Sequence, residues 1–543
     1  MTRKEFLKLT SLAATAPLAG VAGVREGGQP DIDLDNQPGS KRTFPSGITA
    51  AVVEFIDRAS FDRIPEKAIA EAKRCLIDGF GVVLAGSTVR GSAIVREYIT
   101  ASARGPRGES ESAPAASQAD ARRSAIASGG RAPRAIRTVG FGESTILGPQ
   151  RMSASAAQAS LANASSGHAM DYDDTQLSST PDRVFGLLTH PTVPVLAASL
   201  AVGERLGVDG RAFLEAFVAG FEVECKIAEA INPRHYVGGF HSTGTIGTFG
   251  AAASAAKLLK LARHEIAHAL GIAASMSSGI RVNFGSMTKP LHAGRAAENG
   301  VTAAELASRG FTAGDNGLDG EWGFFQVMGG GADVPRIVPA LGRPFSIVDP
   351  GVSFKPYPCG SLGHPTMDAM LKLVTDHDVK ADQIARVRVR AGSNILNPLR
   401  YKTAKTELEA KFCLPFMMTS IALKRRAGIR EFTDEFVSSP PVQAMMARVD
   451  TVFDQAIEAR GFDRMRSIVE VDLTDGRKLS QASDERYRGG PERPFTREEL
   501  HEKFMDCASL ILSSDRIKRA LDVIESLEKA KSVRELATVL AAA

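Results

Sequence analysis

The sequence predicts a mainly α-helical protein in which a large all-helical domain is interrupted by a smaller α+β domain. Alanine and glycine are abundant and aromatic residues make up only 6% of the 543 residues, which favours closely packed helices over a β-sandwich. Apolar residues recur at three- and four-residue steps through most of the chain, the spacing of amphipathic helices. Near residue 349 this spacing gives way to strict alternation, which is typical of strands.

Length and composition limit the classes of function. A chain of 543 residues is expected to hold more than one domain, because single cores stop growing at roughly 250–300 residues. The 66 basic and 62 acidic residues leave a net charge of +4, which is not the strongly basic charge typical of a nucleic-acid-binding protein. No apolar run after the amino terminus approaches the roughly 20 residues of a membrane span. The five scattered cysteines indicate reduced, buried thiols.

Residues 1–45 are predicted to be an export-signal-like leader and a linker. "MTRKEFLKLTSLAATAPLAGVAG" has basic residues, then a weakly apolar stretch, then small residues suited to cleavage. "TRKEFLK" is similar to the twin-arginine signal, with Lys4 where the second arginine usually lies. We therefore expect export to the periplasm, and the alternative is a cytoplasmic protein with a disordered leader.

The predicted domains follow from the order of these patterns. Residues 46–348 and 496–543 read as the all-helical domain, beginning with two amphipathic helices in "SGITAAVVEFIDRASFDRIP" and "PEKAIAEAKRCLIDGFGVVLAG". Residues 104–135 have almost no large apolar side chains and form a predicted low-complexity insertion. Residues 349–495 form the smaller domain, with a strand in "IARVRVRAG" and a hairpin around Asp475-Gly476.

Two short motifs point to enzyme classes that the surrounding sequence disfavours. His264-Glu265-x-x-His268 matches the first part of a zinc-protease pattern, but its third ligand position is Ala274, which has no donor atom. The helical phase places both histidines opposite the apolar face, so we interpret them as solvent-facing residues of an ordinary helix.

The second motif, Asp171-x-Asp173-x-Thr175, fits the loop of aspartate-nucleophile phosphatases. That loop follows a buried strand, whereas the preceding "ASLANASSGHAM" is helix-prone and has no β-branched run. The sequence predicts no metal site at either motif and no cofactor.

The same segment carries a far more extensive resemblance. "SGHAMDYDDT" and "THPTVPVLAASLAVGERLGVDGRAFLEAFVAGFEV" are followed in order by "GFHSTGTIGTFGAAASAAKLL", "SMTKPLHAGRAAENG", "KPYPCGSLGHPTMDA" and "EAKFCLPF". In these blocks the chain resembles the MmgE/PrpD family, whose members include dehydratases and decarboxylases of small polycarboxylates. The resemblance spans residues 46–103 and 140–543, and it implies a cofactor-free lyase and a homodimer.

The residues of these blocks suit chemistry beside a carboxylate. Lys289 is predicted at a helix N-terminus, where an anion is favoured, and His241 lies at the start of another helix. His190 precedes Pro191 at a helix entrance. Histidine suits proton transfer and lysine suits developing enolate charge, while Asp171 would orient His190 or transfer the proton itself.

The resemblance implies which residues form the site. It implies the catalytic residues Asp171, His190, His241 and Lys289, and the substrate-binding residues Thr175 and Lys355. Ser242 and Thr243, which open the predicted helix after His241, and His364, which follows Gly360 in the chain, are further predicted substrate-binding residues. Lys355 belongs to the smaller domain, so the pocket is expected between the two domains.

Two positions depart from the family pattern. Gly360 stands where some members have histidine, and Phe416 stands where many have tyrosine. Each site residue also has a structural alternative, such as helix capping for Asp171. Asp173, Asp174 and His292 are interpreted as structural, and Cys359 as packing.

We expect a hydro-lyase that dehydrates a small polycarboxylate such as 2-methylcitrate. One alternative is an epimerase, isomerase or decarboxylase that uses the same proton chemistry. A second alternative, from another class, is a non-catalytic exported protein that binds polyacids.

Overall fold

A computed structural model describes residues 46–104, 143–177, 187–461 and 464–542. The predicted leader and nearly all of the predicted insertion lie outside these described residues. Within them the chain is mainly helical, with small sheets, as the sequence predicted.

The helical part before the smaller domain contains helices α1 to α11. In chain order these are Ile48–Arg58, Glu66–Gly86, Arg90–Arg104, Ala156–Ala169, Thr192–Leu206, Gly210–Ile231, Arg234–Val237, Ser242–Leu258, Arg263–Met276, Thr288–Ala307 and Phe324–Gly329. The two helices expected within residues 46–100 are present as α1 and α2, and a third, α3, follows them. Their apolar faces are buried in two large clusters of aliphatic and phenylalanine side chains.

Small residues let the central helices approach closely. Helix α10 packs against both α4 and α8. A Cβ at Gly300 of α10 would lie 2.5 Å from the Cβ of Ala251 in α8, and a Cβ at Gly294 would lie 2.6 Å from the carbonyl oxygen of Leu161 in α4. Larger side chains at these glycines would push the helices apart. Helices α10 and α4 carry Lys289 and His168, and His241 directly precedes α8.

Two stretches before residue 349 are not helical, in contrast to the all-helical pattern expected for residues 46–348. Short antiparallel strand pairs occur at Ser144–Ile146 (β1) with Met152–Ala154 (β2), and at Gln176–Leu177 (β3) with Leu187–Thr189 (β4). After α10 the chain forms turns and short 3₁₀ segments as far as residue 363, interrupted by α11. Glycines at every third position or so in "AGDNGLDGEWG" explain this, because glycine is a poor helix former.

The smaller α+β part is built on one four-stranded sheet with the order β6-β5-β7-β8. Strand β5, Ile384–Ala391, pairs parallel with β6, Val449–Phe453, and antiparallel with β7, Ser467–Leu473. Strand β8, Lys478–Ala482, returns from β7 through the predicted Asp475-Gly476 turn. Helices α12 to α18 cover the sheet or connect its strands: His364–Asp376, Ser393–Leu396, Glu407–Ala410, Leu414–Lys424, Asp434–Ser438, Pro440–Met446 and Gln455–Glu458.

The last helices, α19 to α21, return to the helical part. They are Arg497–Ala508, Ser514–Glu525 and Arg534–Leu540. Their apolar residues share a core cluster with α2, α5 and α6, and the ring of Phe504 packs over Gly81. The described residues form one compact unit, so the division into domains at 349 and 495 remains a prediction.

Two expectations from composition can be compared with the structure. All five cysteines are free and buried, as expected. Within the described residues, no helix combines the length and the apolar character needed to cross a lipid bilayer.

Candidate active site

A pocket opens where helix α10 and the loop after α4 meet the smaller α+β part. Its cavity volume is about 40 Å³. The residues that line it are Asp171, Leu177, His190, Tyr236, Phe284, Lys289, Lys355, Gly360, Ser361, Leu362, Pro398, Leu399 and Phe412. Three of the four predicted catalytic residues are therefore in one pocket, together with Lys355.

The floor of this pocket is formed by the end of α4 and the loop that follows it, together called the loop 168–175, and buried cations hold it in place. Three ammonium groups from distant segments donate hydrogen bonds to its backbone carbonyls. The pairs are Lys411 with Ala169 at 3.1 Å, Lys355 with Asp171 at 2.9 Å, and Lys503 with Tyr172 at 2.8 Å. Thr175 at the end of the loop pairs through its backbone with Ser353. This pairing brings the segment that carries Lys355 next to the loop.

Asp171 is the anionic centre of the floor. Its φ of 50° is a left-handed conformation that non-glycine residues rarely adopt and that often marks a functional site. Its Oδ1 lies 2.6 Å from Nζ of Lys289 and 3.1 Å from Nζ of Lys355, while its buried Oδ2 has no hydrogen-bond partner. Burial acts to raise the pKa of Asp171, but the two ammonium groups outweigh it and hold the pKa well below its usual range.

His168, which the sequence analysis did not select, links this ion pair to a second carboxylate. Its Nδ1 lies 2.7 Å from Oδ2 of Asp173, and its Nε2 lies 2.9 Å from Nζ of Lys289. Nδ1 therefore donates to the carboxylate, and Nε2 accepts from the ammonium. Nothing in the sequence distinguished this histidine from a structural one at a helix end.

His190 lines the pocket with a neutral imidazole ring. It follows strand β4 and precedes helix α5, as predicted, and its backbone N–H donates to Oγ1 of Thr243 at 3.2 Å. Its Nδ1 donates to the carbonyl oxygen of Asp174 at 2.8 Å, so Nε2 carries the lone pair. Burial lowers the pKa of His190 well below its usual value, which keeps the ring neutral near pH 7. The backbone of Asp174, and not Asp171 as we had expected, orients this ring.

His241 lies directly behind the pocket wall, at the residue that precedes helix α8. Its Nδ1 is 3.0 Å from Nδ1 of His292, and its buried Nε2 has no hydrogen-bond partner. The ring stacks on His168 at 5.4 Å and meets the edge of the Phe284 ring at 5.1 Å between centroids. Burial also lowers the pKa of His241 well below its usual value. His241 is next to the site without lining the pocket.

The pKa values of two adjacent carboxyl groups of the loop are shifted in opposite directions. Burial raises the pKa of Asp174 to about 8, assisted by the nearby charge of Asp78. Burial also acts to raise the pKa of Asp173, but His168 and His190 reverse the effect and lower it. Asp173 therefore acts as an anion that holds His168, while Asp174 is a neutral acid whose Oδ2 accepts from the hydroxyl of Thr192 at 2.6 Å.

His168, Asp171 and His190 also offer ligand atoms that lie within 4.8 Å of one another, the spacing of a metal site. However, the ammonium of Lys289 contacts both His168 and Asp171, and Lys355 adds a second positive charge. Two ammonium groups in direct contact with these ligands would repel a divalent cation. The donor set thus fits ammonium ions and a substrate anion better than a metal.

Other predicted residues lie outside the pocket lining. Ser242 accepts a hydrogen bond from Asn232 at 3.3 Å, and Thr243 supports the backbone of His190. His364 is buried in the smaller part with both nitrogens engaged, Nδ1 with Oη of Tyr487 at 2.6 Å and Nε2 with the carbonyl of Cys359 at 3.1 Å. Its role in substrate binding remains a prediction that this arrangement does not favour.

The two departures from the family pattern lie in different surroundings. Gly360 lines the pocket. Phe416 is fully buried and packs against Phe432 and Phe436, with ring centroids 5.2 and 6.2 Å away. The missing hydroxyl at Phe416 therefore removes nothing from the pocket lining, where Phe412 stands instead.

The zinc-protease motif lies on helix α9, away from the pocket. Oε2 of Glu265 accepts the backbone N–H of Ala262 at 2.7 Å, so this glutamate caps the helix. His264 is exposed, whereas His268 is half-buried and lies 3.0 Å from the carbonyl oxygen of Ala313, which corrects our expectation that it faces solvent. Among the described residues, the only group with metal-ligand spacing is the one in the pocket.

Comparisons with known proteins agree with the resemblance. The MmgE/PrpD N-terminal domain model matches residues 131–337, and the C-terminal domain model matches residues 357–529. Human cis-aconitate decarboxylase is 28% identical over 408 residues, which cover 73% of this chain and 82% of that protein. Cis-aconitate decarboxylase of Aspergillus terreus is 22% identical over 519 residues, which cover 91% of this chain and 96% of that protein. The chain therefore belongs to the MmgE/PrpD family, and it is an enzyme of the dehydratase or decarboxylase type of lyase.

Proposed function

We propose that the protein eliminates water or carbon dioxide from a small polycarboxylate by proton transfer at a carbon next to a carboxylate. The proposal rests on one observation: a neutral imidazole and two ammonium groups lie in the same pocket. His190 presents a neutral imidazole with its lone pair on Nε2, and the ammonium groups of Lys289 and Lys355 lie beside Asp171. A base and cations together are what an enolate-forming reaction needs.

The lysines would bind the reacting carboxylate of the substrate. As negative charge moves onto that carboxylate in the transition state, two fixed ammonium groups stabilise it in surroundings from which water is largely excluded. Burial lowers the pKa of Lys289, although Asp171 opposes this effect, so Lys289 is also a better proton donor than an exposed lysine.

In dehydration, Nε2 of His190 takes the proton from the carbon next to the bound carboxylate. The carbon–hydrogen electron pair enters the enolate and then forms the carbon–carbon double bond. The hydroxyl on the neighbouring carbon leaves with a proton from Lys289, as water. This route assigns the neutral histidine the role of base.

In decarboxylation, the carbon–carbon bond to the leaving carboxylate breaks and carbon dioxide departs. The electron pair enters the same enolate, and a proton from Lys289 then passes to carbon. The names of the relatives favour this route. The resemblance places a histidine of some family members at position 360, where this pocket has Gly360.

A deuterium experiment tests the proposal. The full-length protein is incubated in heavy water with citrate, 2-methylcitrate, cis-aconitate, isocitrate or iminodisuccinate, and each mixture is followed by NMR. We expect at least one substrate to lose water or carbon dioxide. For a substrate that loses water, we expect the His190→Gln protein to lose that activity.

Other outcomes identify the alternatives. Deuterium exchange with inversion and no loss of water or carbon dioxide would identify an epimerase. Binding by calorimetry without exchange or product for any compound would identify a non-catalytic polyacid-binding protein and would contradict the proposal.

A further inference from the structure

The ammonium of Lys289 is held by two hydrogen bonds that fix its orientation. Its Nζ lies 2.6 Å from Oδ1 of Asp171 and 2.9 Å from Nε2 of His168, and a lysine ammonium has three N–H groups. Because these groups are arranged tetrahedrally, engaging two of them fixes the direction of the third. Lys289 also lines the pocket, so the third N–H is the one that can meet a substrate.

The two acceptors of Lys289 differ in charge. Asp171 is a carboxylate that Lys289 shares with Lys355, whereas burial lowers the pKa of His168 and keeps its imidazole neutral. A second carboxylate in direct contact with Nζ would cancel the charge that the two lysines leave for a substrate anion. A neutral acceptor directs the ammonium without cancelling its charge.

Asp173 decides which nitrogen of His168 is the acceptor. A neutral imidazole accepts only through the nitrogen that carries no proton. Oδ2 of Asp173 lies 2.7 Å from Nδ1 of His168, and both side chains are fully buried, so the proton stays on Nδ1. The same oxygen lies 3.5 Å from Nδ1 of His190, which also carries the proton of its ring. One carboxylate therefore faces the Nδ1 atoms of both histidines.

Other buried histidines of the chain are held by neutral groups. His235 bonds to the carbonyl of Met328 at 2.8 Å and to the hydroxyl of Thr245 at 2.7 Å. His364 likewise bonds to a hydroxyl and a carbonyl. Such partners are sufficient for a histidine that only fills the core. His168 instead lies between a carboxylate and an ammonium of the pocket lining, which ties its orientation to the site.

We propose that His168 and Asp173 are positioning residues of this site. Asp173 keeps the proton on Nδ1 of His168, Nε2 accepts from Lys289, and the remaining N–H of the ammonium is directed into the pocket. Asp173, interpreted from the sequence as structural, thereby serves the site through His168. The inference rests on the proposed function in one respect, namely that the directed N–H meets the reacting carboxylate.

Two substitutions of His168 separate its two contacts. Glutamine is long enough to place its carbonyl oxygen near the position of Nε2, where it can still accept from Lys289. Asparagine is one methylene shorter and ends near the position of Nδ1, so it keeps only the contact with Asp173. Because a hydrogen bond to a charged group is lost, His168→Asn should lower kcat about thirtyfold with a smaller change in KM, and His168→Gln should lower kcat no more than about fivefold. The full-length protein is assayed with the compound that reacts in the heavy-water experiment.

A second background shows whether His168 acts through Lys289. In the Lys289→Met protein, the additional change His168→Asn should lower kcat no more than about twofold, because the group that it directs is already absent. Equal losses with and without Lys289 would indicate a structural role and would overturn the inference. His235→Asn is the matched control: it should lower the melting temperature, as His168→Asn does, but change kcat by the same factor in both backgrounds.

The tautomer of His168 is measured without any substrate. In ¹⁵N NMR of the full-length protein labelled in its histidine side chains, the His168 signals are identified by their loss in His168→Gln. They should show a proton on Nδ1 and none on Nε2, and a proton on Nε2 would overturn the inference.

The part played by Asp173 is tested in the same spectra. The amide of Asp173→Asn can turn its N–H groups towards Nδ1, so part of the proton should move to Nε2 and kcat should fall. An unchanged tautomer together with an unchanged kcat would remove Asp173 from the inference. If no compound reacts in heavy water, the proposed function fails, and the tautomer alone then decides whether His168 accepts from Lys289.

Discussion

Helix α9 and the loop 168–175 both place histidine and carboxylate side chains within a few residues of one another. On α9 the spacing matches a metalloprotease motif, yet its glutamate caps its own helix and one of its histidines is exposed. In the loop, the histidine and aspartates are buried, and their partners come from segments more than a hundred residues away. The comparison teaches that spacing along the chain is weak evidence for a site, whereas burial with distant charged partners is strong evidence.

The largest effect should come from the cation that joins Asp171 and His168. Lys289→Met removes an ammonium from the place where charge develops, and we expect turnover to fall about a thousandfold. Lys260→Met, an exposed change just before α9, should leave turnover unaltered. Both variants are measured by steady-state kinetics with the best substrate, and thermal melting confirms that they are folded. Similar losses of turnover in the two variants would contradict the proposed difference between the two regions.

The next effect concerns the histidines themselves. His190→Gln removes the base while keeping a group that can donate to the carbonyl of Asp174, so turnover should fall at least about a hundredfold. The double change His264→Gln and His268→Gln should leave turnover within about twofold, since neither ring contacts the pocket. If a chelator or the double change abolished activity, α9 would have to be reconsidered as a metal site.

Breaking the ion pair beneath the loop should lower turnover less than these changes and should clearly lower the stability of the protein. Nζ of Lys503 lies 2.6 Å from Oδ1 of the buried Asp78 and holds the carbonyl of Tyr172. Lys503→Met should lower the free energy of unfolding by about 3 kcal/mol and turnover by about tenfold. Arg263→Met, which breaks the exposed pair with Asp57 on α9, should change neither. Urea unfolding and kinetics on both variants test this contrast.

The smallest effect on turnover is expected at Asp174, which acts on the pH dependence of stability. Asp174 in the folded protein keeps its proton up to about pH 8, whereas an unfolded aspartate releases it near pH 4. Because the folded state binds more protons in this window, the contribution of Asp174 to stability falls as the pH rises through it. Asp174→Asn should therefore raise the melting temperature more at pH 8 than at pH 5, and an equal change at both would contradict the proposed neutral acid.

Much of the fold followed from patterns within short segments. The alternation in "IARVRVRAG" gave β5, Asp475-Gly476 gave the hairpin, and apolar spacing gave α1, α2 and α9. The turns after α10 and the short strand pairs were missed. Glycine-rich sequence interrupts the helix in the first case, and pairing with a distant partner creates a strand of two or three residues in the second.

The candidate site was predicted less completely. Asp171, His190, Lys289 and Lys355 line the pocket, while His364 and Phe416 lie in the core of the smaller part and His168 had not been selected. The difference between His168 and His364 is set by what packs against each ring. One ring meets a lysine and an aspartate of the pocket, and the other meets a tyrosine and a backbone carbonyl.

The sequence by itself determined the mainly helical class, the positions of most elements and the family, because each depends on local spacing or on ordered blocks of residues. Only the tertiary structure decided that Lys289 and Lys355 share one carboxylate oxygen and that Lys411 and Lys503 hold the loop. These properties depend on distances between segments far apart in the chain and on the burial that sets each group's protonation, neither of which is encoded in any single stretch of sequence.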